Sequence, residues 1–219
     1  MLLHGWGGNH ELMLGVAKRL RGCKCLLPDL IGFGHTPHPD YPLSVDDYVD
    51  AVVDMMAKAD IKKACLVCHS FGARIGLKLA ATRADFVSGL VITGGAGIKP
   101  KRKLSYYAKV FAHKVKKVLH LPTDLDGSPD YRNLSNAMKG TFVRVVNEDL
   151  TPLLPRISID TLIVQGELDT ETPTYMAEIM NKSIPSSSVV IMKGVGHFGY
   201  LERLNDFVEI TQSYINAIE

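Results

Sequence analysis

The stretch Ala64 to Gly76, ACLVCHSFGARIG, predicts a buried strand that turns directly into a helix. Its first five residues form a compact apolar run, which is typical of a parallel strand covered on both faces. From Phe71 to about Ala81, apolar residues recur at helical spacing. Because no loop residues separate the strand from the helix, Ser70 stands at the apex of a sharp turn. Its side chain should project outward at the positive N-terminal end of the helix.

Two interpretations of Ser70 fit this stretch when it is taken alone. A serine after a buried strand often serves as a helix N-cap, whereas a serine on a sharp strand-to-helix turn can act as a nucleophile. Cys68 stands where such turns usually carry glycine. That position needs a small side chain, because the strand and helix backbones nearly touch there. Cysteine is small enough to meet this need.

Length and composition describe an ordinary globular chain. Its 219 residues suffice for one sizeable core, with 46% apolar and 22% charged residues. No apolar run approaches the ~18 residues of a membrane span, and the N-terminus lacks the features of a secretory signal. The four cysteines are expected to be reduced thiols, since Cys65 and Cys68 should face opposite sides of a strand. We therefore expect a cytoplasmic protein with neither a cofactor nor a bound metal.

The charge is distributed unevenly along the chain. Eight basic residues and no acidic residue lie between Lys99 and His120, and the remainder carries a net negative charge. Three interpretations of the basic segment remain open: the solvated face of an amphipathic helix, a surface that attracts an anionic substrate, or one that binds an anionic membrane. The acidic remainder argues against binding of nucleic acid, since it would repel phosphate.

The remaining sequence alternates between predicted strands and helices. A parallel, doubly wound α/β sheet of about six strands, with helices on both faces, accounts for this alternation. Residues 99 to 150 interrupt it with helical periodicity. The predicted strands lie at Leu2–Leu3, Lys24–Pro28, Ala64–Cys68, Val87–Thr93, Thr161–Gln165 and Val189–Met192. The predicted helices lie at about His10–Arg21, Ser44–Lys58, Phe71–Ala81, Asn133–Val146, Pro173–Asn181 and Asp206–Ala217, with Thr172 and Asn205 capping the last two.

Candidate partners for a nucleophilic serine follow later strands. Asp169 lies four residues beyond the predicted strand end at Gln165, and His197 lies in a glycine-rich loop near the C-terminus. Acyl transfer needs such a base and such an acid to orient it. Glu167 and Glu171 are rival acids. Taken alone, Asp169 could also cap the next helix, and His197 could be a surface histidine.

The same chemistry needs backbone donors for an oxyanion. The N–H of Phe71, directly after the serine, is one candidate. The N–H of Trp6, in the glycine-rich turn after the first strand, is the other. We expect Trp6, His69 and Phe198 to line a substrate pocket, and His4 to make structural hydrogen bonds beneath the turn.

Five motifs together resemble the α/β-hydrolase superfamily across nearly the whole chain, in the family's order: HGWGG, DLIGFGHT, CHSFG, QGELD and GVGHF. The resemblance implies a serine hydrolase with a small helical cap, in which Ser70, Asp169 and His197 form the triad. In this superfamily the sharp turn that carries the nucleophile, here Cys68 to Gly72, is called the nucleophile elbow. A serine at the elbow argues against the dehalogenase and epoxide-hydrolase branches, whose nucleophile is aspartate. The expected activity is hydrolysis of a small or medium carboxylic ester through an acyl-enzyme.

Two other functions stay open. One is carbon–carbon bond hydrolysis of the meta-cleavage-product type. Those enzymes share a tryptophan shortly after the catalytic histidine, whereas this chain has Phe198-Gly199-Tyr200 there. The other is ligand binding without catalysis on the same fold.

The resemblance also implies a domain organisation, with core segments at residues 1–98 and 151–219 and a cap at residues 99–150. The family usually has two further strands before the HGWGG strand, and this chain begins inside that strand. The Lys24–Pro28 strand would then form a sheet edge. Exposed edges favour association, so we expect a homodimer through this edge or a tendency to aggregate.

Overall fold

Five parallel strands form the sheet in the described part of the chain. The structure is a computed structural model that describes residues 1–99 and 134–218. Neighbouring strands in the sheet follow the order of the sequence, and each pair is parallel. The strands are β1 (Leu2–Leu3), β2 (Ala64–His69), β3 (Val87–Thr93), β4 (Thr161–Gly166) and β5 (Ser187–Met192).

Helices cover both faces of this sheet, as the alternating pattern predicts. Buried residues of α2, α3, α4 and α5 form one apolar cluster with one face, and those of α1 and α7 form a second cluster with the other. Cys68 belongs to the first cluster and Cys65 packs against the second, so the two thiols face opposite sides. The α-helices are α1 (Glu11–Ala17), α2 (Val45–Lys58), α3 (Phe71–Thr82), α4 (Asn136–Asn147), α5 (Thr174–Ser183), α6 (Gly199–Glu202) and α7 (Leu204–Ile218), and short 3₁₀ helices span Ala84–Phe86 and Thr151–Arg156.

The strand predicted at Lys24–Pro28 is not formed, so the described sheet has five strands rather than about six. One backbone hydrogen bond joins this segment to β1, from the Leu2 N–H to the Leu26 carbonyl at 2.9 Å. Pro28 has no N–H with which to extend such a ladder. Leu26 and Leu27 are half-buried in this position. Association through this edge stays a prediction.

Two predicted helix caps are wrong. α5 begins at Thr174 without a side-chain cap, because the Thr172 hydroxyl donates instead to Oδ2 of Asp169 at 2.7 Å. α7 begins at Leu204, before Asn205. By contrast, Ser44 and Asp47 form the reciprocal capping box expected at the start of α2.

Only part of the predicted cap segment falls within the described residues. α4 forms close to its predicted place, and the 3₁₀ turn at Thr151–Arg156 leads back to β4. The predicted lysine-rich amphipathic helix and the turn-rich linker lie outside the described residues. Among the helices that the structure describes, none has the length and apolar character needed to cross a bilayer.

Candidate active site

Ser70 occupies a strained backbone conformation between β2 and α3. Its φ of +50° and ψ of −106° are unfavourable for a residue with a Cβ atom. The Ser70 N–H donates to the Thr93 carbonyl of β3 at 3.1 Å, which holds the turn against the sheet. At Gly72, a Cβ atom would lie 2.5 Å from the Leu3 carbonyl oxygen. Only glycine therefore lets α3 begin this close to β1, and the sharp turn predicted from the sequence is formed.

Cys68 fits beneath this turn because α3 has a glycine opposite it. The Cys68 side chain is fully buried, and a Cβ atom on Gly76 would lie 2.7 Å from its Sγ. Burial raises the pKa of the Cys68 thiol well above its ordinary value. The residue is thus a packed, protonated thiol rather than a second nucleophile.

Asp169 is held by a dense set of hydrogen bonds at the carboxyl end of β4. It is 4% exposed. The Thr172 hydroxyl and the Gln165 amide donate to Oδ2 at 2.7 and 3.1 Å, and the backbone N–H groups of Glu171 and Thr172 donate to Oδ1 at 2.9 Å. Burial would raise the pKa of this carboxyl, but the hydrogen bonds from His197 and Thr172 lower it well below its usual range. Asp169 is therefore a fixed anion at neutral pH.

His197 pairs with this anion through its Nδ1 atom. Nδ1 lies 2.8 Å from Oδ2 of Asp169, so Nδ1 carries the proton and Nε2 is left as the basic atom. Burial by itself would lower the pKa of His197. The hydrogen bond and charge of Asp169, with a smaller contribution from Glu171, raise that pKa above its ordinary value.

The two rival acids have other positions. Glu167 accepts a hydrogen bond from the Gly194 N–H at 2.9 Å and so ties the β4 loop to the loop that carries His197. Glu171 is largely exposed, and its Oε2 lies 3.5 Å from Nε2 of His197. Asp169 is thus the carboxylate that contacts Nδ1, whereas Glu171 approaches the opposite ring nitrogen.

The predicted oxyanion turn is a tight turn from Gly5 to Gly8. The Gly8 N–H donates to the Gly5 carbonyl at 3.1 Å. Gly7 has a φ of +75°, and a type II turn requires a positive φ at this second central position. Trp6 therefore occupies the first central position of the turn. Its ring makes edge contacts with Phe33, Phe71 and Phe142 at centroid distances of 4.9, 5.3 and 5.2 Å.

His4 fixes this turn from below. Its Nδ1 donates to the Gly5 carbonyl at 2.8 Å, and its Nε2 accepts the Leu30 N–H at 3.0 Å. Burial lowers the pKa of His4, which keeps the ring neutral and suits this arrangement. The side chain therefore has the structural role predicted for it.

His69, directly before Ser70, contacts the backbone of the catalytic-base candidate. Its Nε2 lies 3.1 Å from the His197 carbonyl oxygen, so Nε2 carries the proton and donates it to that carbonyl. Burial, together with the nearby His197, lowers the pKa of His69 to about 3, and the ring is neutral. Its Nδ1 is buried without a hydrogen-bond partner in the described part of the chain, and a Cβ atom on Gly5 would lie 2.7 Å from it.

Several of these residues line one cavity of about 540 Å³. Ser70 and His197 line it, as do the three predicted pocket residues. The volume lies within the range of small-molecule sites. The described residues that the cavity brings together include Gly5, Trp6, His69, Ser70, Phe71, Arg74, Phe142, Glu171, Thr172, His197 and Phe198.

In the part of the chain that the structure describes, one group of potential metal ligands lies away from this cavity. Ligand atoms of His10, Asp29 and His35 all lie within 4.8 Å of one another. Both carboxylate oxygens of Asp29 already accept backbone and ring N–H groups from the two histidines. These bonds lower the pKa of Asp29, although burial opposes them. The cluster fastens the loop after residue 28 to the start of α1.

Two functional features were missed by reasoning from the sequence. The bond from His69 to His197 joins residues 128 positions apart, and no local pattern signals it. Arg74 lines the cavity one helical turn after Ser70. The four-residue spacing could have placed Arg74 and Ser70 on one face of α3. The contact of Arg74 with the Glu148 carbonyl comes from a distant part of the chain and has no such signal.

The chain belongs to the alpha/beta hydrolase family, whose sequence profile matches residues 1–210. Among its relatives is Lipase 3 of Moraxella sp., which is 24% identical over 94% of this chain and 73% of its own length. Pimeloyl-[acyl-carrier protein] methyl ester esterase of Neisseria meningitidis is also 24% identical, over 99% of this chain and 93% of its own length.

Solved structures share the fold at low sequence identity. An esterase from Exiguobacterium antarcticum superposes with a TM-score of 0.80 at 22% identity, covering 98% of this chain and 90% of its own. A meta-cleavage product hydrolase from Pseudomonas fluorescens gives a TM-score of 0.78 at 19% identity, covering all of this chain and 90% of its own. At these identities the likeness establishes the fold and not the reaction.

Proposed function

We propose that the protein is a serine hydrolase that cleaves a small or medium carboxylic ester. The observation that carries this proposal is that His197, paired with the buried Asp169, lines the same cavity as Ser70, which a strained turn presents at a helix N-terminus. Nucleophile, acid and base also follow one another in the chain order used by this superfamily.

In the proposed reaction, Ser70 Oγ attacks the acyl carbon while Nε2 of His197 takes the hydroxyl proton. Asp169 keeps the proton of His197 on Nδ1 and stabilises the imidazolium that forms. The C–O bond to the alcohol then breaks, and the alcohol leaves with the proton from His197. Water, activated by the same ring, hydrolyses the acyl-enzyme and restores Ser70.

The N–H groups of Phe71 and Trp6 are the proposed oxyanion donors. Phe71 is the first residue of α3, where backbone N–H groups have no intrahelical acceptor and the helix dipole is positive. Trp6 lies in the turn that His4 and Gly5 hold beside the elbow. Aromatic side chains around Trp6 provide the apolar wall against which an acyl or alcohol group can pack.

The direct test is the variant Ser70→Ala with p-nitrophenyl acetate and butyrate. The proposal expects turnover in the parent protein and loss of at least ~10³-fold in kcat/KM in the variant. A fluorophosphonate probe should label the parent protein and not the variant. Undiminished turnover by Ser70→Ala would show that another group performs the chemistry.

Carbon–carbon bond hydrolysis is the second candidate. A meta-cleavage product hydrolase is among the structures that share the fold, and the same serine, turn and cavity are compatible with that chemistry. Phe198, the residue after His197 in the sequence, lines the cavity, in the region where those enzymes share a tryptophan. Cleavage of a vinylogous diketone without activity on any ester would favour this alternative.

Ligand binding without catalysis is the third candidate, and labelling by the fluorophosphonate separates it from both enzymes. Only a serine activated by its neighbours reacts with such a probe.

We further propose that residues 99–150 act as a cap over the cavity. Leu134, Phe142, Val145 and Val146, on its described part, line that cavity.

A further inference from the structure

Arg74 is a buried cation in the wall of the candidate active site. It lies on α3 four residues after Ser70, is 7% exposed, and lines the cavity that contains Ser70 and His197. Buried arginines are rare unless an anion accompanies them, because removing a charge from water is costly.

The guanidinium has one hydrogen bond among the described residues. Its Nη1 donates to the Glu148 carbonyl, just beyond the end of α4, at 2.9 Å. Among the described residues, no carboxylate oxygen lies within 4.0 Å of a guanidinium nitrogen of Arg74, the limit for an ion pair. A guanidinium has five N–H donors in a planar fork that matches a carboxylate.

Lys78, one turn further along α3, shows the contrast. It is equally buried, but its Nζ lies 2.6 Å from Asp46 and 2.5 Å from Glu148, and it does not line the cavity among the described residues. Within the described residues, Lys78 thus has two carboxylates in ion-pair contact, and Arg74 has none.

Arg74 stays charged at neutral pH. Burial lowers its pKa to about 10, and the charges of Glu148 and Asp149 offset part of this effect from a distance. Oδ1 of Asp149 accepts hydrogen bonds from the N–H and the hydroxyl of Thr151.

The geometry of α3 brings this charge close to the nucleophile. Residues four apart share a helix face and are separated by about 6 Å along the axis. Ser70 and Arg74 both line the cavity, so a substrate held at Ser70 shares that space with the Arg74 side chain. An acyl chain attached to Ser70 would therefore need only a few methylenes to place a terminal carboxylate at the guanidinium.

We propose that Arg74 binds a carboxylate on the substrate, and that the preferred substrates are half-esters of short dicarboxylic acids. This inference rests on the proposed serine-hydrolase function. Ser70 attacks the ester carbonyl, the alcohol leaves with its proton from His197, and water releases the free dicarboxylic acid. The acid in the cavity wall, Glu171, lies on the His197 side and is largely exposed, so solvent screens its repulsion of such a substrate.

Matched esters test the proposal. Mono-p-nitrophenyl glutarate and p-nitrophenyl pentanoate have the same acyl length and leaving group and differ in the terminal carboxylate. The parent protein should prefer the glutarate. Arg74→Gln should lower kcat/KM for the glutarate by about tenfold or more and change the pentanoate rate by less than about threefold. Arg74→Lys should retain part of the preference, since it keeps the charge and loses the fork.

Lys78→Gln is the matched control, because it removes a buried cation from the same helix outside the cavity. It should leave the ratio of the two substrates unchanged. Equal ratios in the parent protein and Arg74→Gln would overturn the inference, as would a preference for a carboxylate on the alcohol, measured with 4-carboxyphenyl butyrate.

A measurement on the parent protein covers the case in which Arg74→Gln does not fold. Glutarate should inhibit pentanoate hydrolysis at least about tenfold more strongly than pentanamide, which has no charge. Equal inhibition would contradict carboxylate binding. If the parent protein hydrolyses the pentanoate and reacts with the fluorophosphonate but shows no preference, only this inference fails. If it does neither, the proposed function fails as well.

Discussion

His69 donates its Nε2–H to the backbone carbonyl of His197 at 3.1 Å, so the residue before the candidate nucleophile holds the loop of the candidate base. The elbow and the base loop come from sequence positions 128 apart, and this bond ties them together. The ring lies against the His197 ring at a centroid distance of 4.8 Å. His69 is therefore placed to position His197 without itself exchanging a proton at neutral pH.

Replacing His69 tests that role. His69→Phe keeps a ring of similar size but loses the donor, and we expect kcat for a p-nitrophenyl ester to fall by about tenfold with little change in KM. His69→Gln, whose side-chain amide can donate to the same carbonyl, should recover part of the rate. His69→Phe should also lower the free energy of unfolding by about 1–3 kcal/mol, because the His197 carbonyl loses its donor. Equal kcat in all three proteins would remove the positioning role.

The pH dependence of hydrolysis tests the His197–Asp169 pair. His197 must be neutral to accept the serine proton, and its pKa is raised in the folded protein. We therefore expect kcat/KM to rise with pH and to reach half its maximum above pH ~6.5, the ordinary histidine value.

Asp169→Asn should shift this midpoint to lower pH, because burial would no longer be opposed by the carboxylate. It should also reduce kcat by about 10³- to 10⁴-fold, as loss of the orienting acid does in serine hydrolases. Glu171→Gln is the control and should cause a smaller shift in the same direction. An unshifted midpoint in Asp169→Asn would contradict the pairing.

A reciprocal pair of substitutions tests the packing beneath the elbow. Gly76→Ala in the middle of a helix would ordinarily stabilise it, but here the new Cβ would lie 2.7 Å from Sγ of Cys68. We expect a loss of about 1–3 kcal/mol in the free energy of unfolding, measured by urea denaturation. The double variant Cys68→Gly with Gly76→Ala should recover much of that loss. Strictly additive effects of the two substitutions would show that they do not share this space.

The strain at Ser70 predicts a trade between stability and activity. Ser70→Gly should remove the penalty of a positive φ and raise the free energy of unfolding by about 1 kcal/mol, while activity is lost. Ser70→Ala keeps a Cβ atom and should give no such gain. Thermal unfolding of the two variants side by side provides the comparison. If both have the same midpoint, the turn stores no measurable strain.

The sequence by itself predicted the elements that depend on local order. The apolar run of β2, the helical spacing of α3 and the glycines at positions 5, 7 and 72 each carry a signal within a few residues. Strand ends in a parallel sheet meet at one edge, and the resemblance to the α/β-hydrolase superfamily added the expectation that Ser70, Asp169 and His197 form a triad there. Asp169 and His197 are indeed in contact, and Ser70 and His197 line one cavity. Their catalytic roles remain a proposal.

Tertiary structure decided the properties that depend on distant contacts. Thr172 looked like a helix cap, yet its hydroxyl bonds Asp169, because the folded loop offers a buried anion as the better acceptor. The segment at residues 24–28 has strand-like composition but forms a single bond to β1. The bond from His69 to His197 has no local signal, and neither has the burial of Arg74 without an ion-pair partner among the described residues. Burial and charge at each of these sites are set by segments far apart in the chain, and only folding brings those segments together.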